Sequence, residues 1–184
     1  PGGCEDPRVV ETATGGYVMV YTSWNGTTAR LSVAVSRDLY HWEKKGAAFA
    51  KAYGGKYFDH WSKSGSIITG LKNGKVVAIP INGKYWMYWG ELFVNLAWSD
   101  DLIHWTPLEN PDGELSRVIS PRPGYFDSHL TECGPPAVLT DKGIVLLYNG
   151  RNAEDANGST VYPKGAYTVG QLLLDPNEIG RAHV

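Results

Sequence analysis

Apolar and polar residues alternate along this chain in short runs with a period of two, the signature of half-buried β-strands. "GYVMVYTSW" from Gly16, "KYWMYWGE" from Lys84, "GIVLLYNG" from Gly143 and "GAYTVGQLLLD" from Gly165 are the clearest. Between them stand turn signals: "ATGG", "WNGTT", "KNGK" and "INGK". Asn-Gly pairs accept positive φ and so favour tight hairpins. Convincing helical periodicity is absent. The pattern predicts an all-β chain.

One segment recurs. "VAVSRDLYHW", Val33 to Trp42, returns 63 positions later as "LAWSDDLIHW", Leu96 to Trp105. Ser36/Ser99, Asp38/Asp101, Leu39/Leu102, His41/His104 and Trp42/Trp105 keep their order. In each copy a strand runs into Ser-x-Asp-Leu, whose Ser and Asp side chains can accept backbone N–H groups. A Trp is then placed to plug the next layer. About three repeats of roughly four strands, each about 60 residues long, have the dimensions of β-propeller blades. A β-sandwich is the alternative, but the 63-residue echo has no place in it. Three blades do not close a ring, so further blades are expected before Pro1 and after about Asn177. Residues 1–177 are then a partial propeller domain. The closing "EIGRAHV", Glu178 to Val184, abandons the strand pattern and is expected to be a non-native tail.

Composition narrows the function classes. Hydrophobic residues are 42% and charged ones 20% of the 184, with a formal net charge of −2, as in an ordinary soluble protein. No block of like charge suggests nucleic acid, and no apolar run approaches the roughly 18 residues of a membrane span. A soluble protein of the bacterial cytoplasm or periplasm is expected; the oligomeric state cannot be read. The two cysteines, Cys4 and Cys133, lack metal-ligand spacing and are expected to be buried as small apolar groups. Aromatic content is high, with 7 Trp and 11 Tyr. Such side chains suit cores, and they also suit the C–H faces of sugar rings.

The chemistry-bearing candidates fall at corresponding places in successive repeats. Asp6 precedes "RVVETA", Glu91 follows "KYWMYWG", and Glu132 lies in "HLTECGPP". Lys63 and Ser64 sit in "HWSKSGSI" and Arg30 in "TTARLSVA". Taken singly, each reads equally well as a turn acid, an edge cation or a salt bridge between repeats. A carboxyl group in each of three repeats is harder to set aside. Glycosidic cleavage needs such a set: one carboxyl protonates the leaving oxygen while another activates water on the opposite face of the sugar.

"GCEDPRVV", "YTSWNGTTARLSVAVSRDLYHWEKKG", "HWSKSGSI", "GKYWMYWGE" and "GPPAVLTDKGIVLLYNG" together resemble glycoside hydrolase family 130, from Gly2 to about Pro176. The resemblance implies a five-bladed propeller acting on β-mannosides. It also implies that Asp6 is the general acid, relaying its proton through a substrate hydroxyl, with Arg8 organising its surroundings. Most of the family are phosphorylases, for which inorganic phosphate is the co-substrate and needs cationic donors. This chain departs from that pattern at Glu132-Cys133-Gly134-Pro135-Pro136, at Tyr148-Asn149-Gly150 and at Glu91. Two carboxylates beside an anion site repel phosphate; a like-charge pair about 4 Å apart costs roughly 4 kcal/mol at an effective dielectric near 20. The departure resembles the hydrolytic branch, which removes β-1,2-linked mannose with inversion. Glu91 and Glu132 are then the pair that holds and deprotonates water, with the division of labour open. Arg30, Lys63, Ser64, Tyr88, Tyr125, Asp127 and Asn149 are assigned to substrate binding. No metal and no organic cofactor are implied, and the expected partner is a mannose-containing oligosaccharide.

Three alternatives stand beside this reading: a phosphorylase, a five-bladed furanosidase, and a non-catalytic lectin-like propeller using Tyr57, Trp61, Tyr85, Trp86, Trp89 and Tyr125. His41 and His104 are expected to be structural caps, while His60 and His129 are candidates for sugar contact. Asn25 and Asn157 match glycosylation acceptors but read as hairpin turns.

Overall fold

The structure, a computed structural model, describes residues 2–181 and is nearly all β. Strands β1 (Gly3–Glu11), β2 (Tyr17–Trp24), β3 (Ala29–Ser36) and β4 (Trp42–Ala47) form an antiparallel meander. β2 and β3 pair without interruption from Tyr17↔Ser36 to Trp24↔Ala29, as strict alternation demands. A second module contains β5 (Ser66–Lys72), β6 (Lys75–Ala78), β7 (Tyr85–Trp89), β8 (Val94–Ser99), β9 (Trp105–Pro107) and β10 (Arg117–Ile119). Here β5, β7, β8 and β9 pair antiparallel in sequence, β6 folds back on β5, and β10 flanks β8. The third has β11 (Leu130–Cys133), β12 (Ala137–Thr140), β13 (Gly143–Arg151) and β14 (Tyr167–Leu174), with β13 pairing with the other three. Parallel contacts of β6 with β1 and of β12 with β5 join the modules. Across the described residues the strand network does not close on itself.

The repeated turns are superimposable in chemistry. Ser36 Oγ accepts from the N–H groups of Asp38 and Leu39, and Ser99 Oγ from those of Asp101 and Leu102. Asp38 Oδ1 accepts from the Tyr40 and His41 N–H groups, and Asp101 Oδ1 from those of Ile103 and His104. Each histidine places Nδ1 against its aspartate, so both are caps as expected. The Asn73-Gly74 pair, at φ 52° and 76°, makes the β5–β6 hairpin. Asn25 Oδ1 accepts from the N–H groups of Thr27 and Thr28, the expected turn.

The two tryptophans differ. Trp105 is buried and its strand hangs on Ala48 O, whereas Trp42 is half-buried, because β4 ends the sheet and has no strand on its outer side.

The core has two clusters. One joins Val20, Leu31 and Val33 of the first module to Met87, Trp89 and Trp105 of the second, with Phe49 between. The other joins Tyr88, Val94 and Leu96 to Cys133, Ile144, Leu146 and Leu174. β7 belongs to both: Met87 and Trp89 face one cluster and Tyr88 the other, so "YWMYW" is buried on each side. In the closing segment Ile179 packs against the second cluster. Ala182 to Val184, the last part of the tail expected to be non-native, and Pro1 lie outside the described residues.

Candidate active site

Four short segments converge: residues 5–8, 61–64, 90–92 and 131–134. The first is a β-bulge. Glu5 pairs with Thr22 and Arg8 with Val20, so Asp6 and Pro7 together face Tyr21. Proline cannot donate to the ladder, and a bulge is where a strand tolerates it. Asp6 takes φ 54°, a left-handed conformation that aspartate enters more readily than most residues. The irregularity re-aims the Asp6 side chain out of the strand pattern.

Arg8 ties the bulge to the third module. Its Nη1 donates to Asp6 O (2.7 Å), its Nη2 to Cys133 O (3.0 Å) and its Nε to Gly134 O (2.5 Å). The same guanidinium stands 4.0 Å from the Asp6 carboxylate. One arginine therefore fixes the acid's backbone against the segment that carries Glu132.

Glu91 is set between Gly90 (φ 128°) and Leu92 (φ 74°). An added Cβ at Gly90 would lie 2.1 Å from Phe93 O, so only glycine fits there. This turn is pinned on both sides: Gly90 N–H donates to Lys63 O, and Thr131 donates to Leu92 O through both N–H and hydroxyl. Trp61 Nε1 donates to Glu91 Oε2 (3.2 Å), and Lys63 Nζ lies 3.6 Å from Glu91 Oε1. Ser64, fully buried at φ 50°, donates its hydroxyl to Glu132 Oε1 at 2.6 Å. Residues in uncommon backbone conformations thus recur where the acids are placed.

Lys63 is the electrostatic centre. Its side chain is 13% exposed, and burial works against its charge. The Glu91, Glu5, Asp6 and Glu132 carboxylates together outweigh that effect and hold the ammonium above its ordinary value. Glu5, 3.5 Å from Nζ, is a fourth acid that the sequence reading passed over. Its adjacency to Asp6 was the available signal. Four carboxylates face two cations, Lys63 and Arg8.

Among the assigned binding residues, Lys63 and Ser64 reach the acids directly. Asn149 stands opposite Glu132 in the β11–β13 ladder, which sets the two side chains on one face. Four others differ from expectation. Tyr88 is fully buried in the second core cluster and offers a sugar no surface. Arg30 pairs with Asp59, donates to Phe58 O and covers the Phe58 ring. No bond joins it to the acids among the described residues. Asp127 is buried, with its oxygens taken by Arg122 and the Tyr148 hydroxyl. Tyr125 is exposed under Arg122, on that same separate loop. Tyr57 and Trp89, named for a lectin surface, are core residues, while Trp61 is half-exposed. Cys4 is exposed rather than buried, since the strand end that carries it has solvent on that face; Cys133 is buried.

Beyond Glu91 a cavity of about 360 Å³ opens, lined by His60, Trp61, Phe93, Asn95 and Arg117 among others. A larger hollow of about 800 Å³ runs along Tyr17, Val35 and Trp42 on the first module and is lined by none of Glu5, Asp6, Glu91 and Glu132. The exposed His60 ring meets Tyr57 and Trp89 edge-on, and the desolvation this brings lowers its proton affinity.

Carboxyl groups gathered around one ammonium can give and take protons. The family model of glycoside hydrolase family 130, described as beta-1,4-mannooligosaccharide phosphorylase, matches residues 1–183. The chain belongs to that family. It is 29% identical to the 1,2-beta-oligomannan phosphorylase of Thermoanaerobacter sp. (strain X514) across 94% of this chain and 48% of that protein. A solved glycosyl hydrolase from Bacteroides ovatus is 57% identical with a TM-score of 0.97, covering 100% of this chain and 51% of the other. A third relative comes from work on family members that are glycoside hydrolases targeting β-1,2 mannosidic linkages in Candida mannan. It is 55% identical with a TM-score of 0.96, over 99% of this chain and 50% of that one. The chain spans about half the length of these relatives.

Proposed function

We propose that this chain forms the acid-bearing part of a β-mannoside hydrolase, with the three modules as blades of a five-bladed propeller and residues 1–177 as its domain portion. The substrate is a mannose-containing oligosaccharide with a β-1,2 linkage, cleaved with inversion. Asp6 delivers the proton to the leaving oxygen, and Glu91 and Glu132 hold and activate water. The reaction uses water and needs neither metal nor organic cofactor.

The observation that carries this reading is the crowding of Lys63 by four carboxylates. A cation so engaged is a poor phosphate ligand, and a dianion entering there meets Glu5, Glu91 and Glu132 at close range. At about 4 Å and an effective dielectric near 20, each such approach costs roughly 4 kcal/mol per charge. Water pays no such cost. The 55% identical relative described as acting on β-1,2 mannosidic linkages points the same way. One observation favours the phosphorolytic alternative: Lys63 and Arg8 are both present, and the 29% identical relative is a phosphorylase.

The test uses Asp6→Asn. Release of mannose from β-mannobiose falls by about 10²–10⁴-fold while mannoside binding, read by calorimetry, persists. Unchanged turnover would remove Asp6 from the chemistry and return the lectin reading.

A further inference from the structure

The two glutamates are held in different ways by a single stretch, Trp61 to Ser64. Glu91 has both oxygens engaged: Oε2 by the Trp61 indole N–H and Oε1 by the Lys63 ammonium. Its backbone is locked as well, through Gly90 N–H on Lys63 O. Glu132 has one oxygen engaged, Oε1 by the Ser64 hydroxyl. Its Oε2 has no donor among the described residues, and the side chain is only partly buried. Asn149, opposite on β13, shares the face of Glu132.

We infer that Glu132 is the base that takes the proton from water, and that Glu91 orients the water without accepting its proton. The inference rests on the hydrolytic reading above. A donor or cation at each oxygen uses lone pairs and fixes how Glu91 can turn, whereas Glu132, held through Oε1 alone, keeps both lone pairs of Oε2 for water. Ser64 donates to Oε1 and so directs the free Oε2 without adding charge. Lys63 is a positioning residue, holding Glu91 while facing Glu5, Asp6 and Glu132.

In the step itself the water oxygen bonds to the anomeric carbon as Glu132 Oε2 removes one water proton. The glycosidic C–O bond breaks, its electron pair goes to the leaving oxygen, and that oxygen receives the Asp6 proton. Glu132 ends protonated and Asp6 ionised, and solvent restores both.

The experiment compares Glu132→Ala and Glu91→Ala, in the protein that carries this chain, with β-mannobiose and sodium azide. Azide has no proton to lose, so it bypasses a missing base but not a missing acid. Glu132→Ala is expected to regain turnover with azide and to yield α-mannosyl azide; Glu91→Ala is not. Glu132→Gln keeps the size and the Ser64 bond, and guards against misfolding of the alanine variant. Its kcat is expected to fall about 10²–10⁴-fold, the scale of a general base. Glu91→Gln is expected to lose about tenfold, the scale of one orienting hydrogen bond. Azide rescue of Glu91→Ala, or the reverse ranking of the glutamine variants, overturns the assignment. Failure of the unmodified protein to release mannose without phosphate sinks the hydrolytic reading instead, a separate result.

Discussion

Ser64 and Glu132, 68 positions apart, meet through a 2.6 Å hydrogen bond in which a fully buried hydroxyl donates to the carboxylate. The bond joins the second and third modules at the point where the acids gather. Ser64→Ala removes the only donor to Glu132 among the described residues. A hydrogen bond to a charged group contributes about 1.5–3 kcal/mol. The variant is expected to lose about tenfold in kcat with little change in KM, because the carboxylate loses its aim rather than the sugar its contacts. Steady-state kinetics on β-mannobiose check this.

Lys63 keeps four carboxylates compatible. Lys63→Met leaves Glu5, Asp6, Glu91 and Glu132 facing one another without it. The expected cost is about 1–3 kcal/mol at neutral pH, the scale of removing one partner from a partly buried charge pair. Repulsion among the four carboxylates is screened by salt, so the loss should shrink as ionic strength rises. Melting temperatures of parent and variant at pH 7, measured from low salt to about 1 M sodium chloride, should draw together; a constant gap would show that Lys63 acts by packing alone.

Arg8 spans three backbone carbonyls at Asp6, Cys133 and Gly134. A lysine is a point donor and cannot reproduce that fork. Arg8→Lys is expected to lower stability by about 1–3 kcal/mol and to reduce activity as the Asp6 bulge relaxes. Thermal denaturation reads the first effect and mannose release the second.

The paired turns predict an acid-side transition. Asp38 is brought from 3.8 to about 2, first by the His41 backbone N–H, then by the His41 ring and the Tyr40 N–H. Asp101 also falls to about 2: burial opposes this, but the His104 ring and the His104 and Ile103 N–H groups outweigh it. A depressed carboxyl contributes stability that is complete above its unfolded value and is lost as pH falls through the folded one. Both contributions should therefore disappear between about pH 4 and pH 2. The double variant Asp38→Asn, Asp101→Asn should be less stable at neutral pH and flatter over that window, as circular dichroism during acid titration would show.

The strand pattern and the Ser-x-Asp-Leu echo were readable because period-two alternation and side-chain-to-backbone turns are local physics. The acids were readable as one carboxyl per repeat, but they do not occupy matching points: Asp6 lies within β1 and Glu132 within β11, whereas Glu91 lies in the turn between β7 and β8, the counterpart of the β2–β3 hairpin. Tyr88 was not: a continuous apolar run such as "YWMYW" does not say whether its strand is covered on one face or two. Arg30 and Asp127 were misplaced for a related reason. Arg30, on β3, meets Asp59 29 positions further on, and Asp127 meets Arg122 within one loop; pairing of either kind consumes charge without leaving a periodic trace. Glu5 carried only its adjacency to Asp6 as a signal, and Trp61, legible as an aromatic suited to a sugar face, gave no sign that its indole N–H would reach Glu91 until the distant segments met.

The claim that water rather than phosphate attacks the sugar is tested most directly by following β-mannobiose turnover with proton NMR, first in phosphate-free buffer and then with added inorganic phosphate. The account predicts α-mannose as the first product without phosphate, and no acceleration when phosphate is added. Mannose 1-phosphate formed only in the presence of phosphate, with no release in its absence, would contradict it.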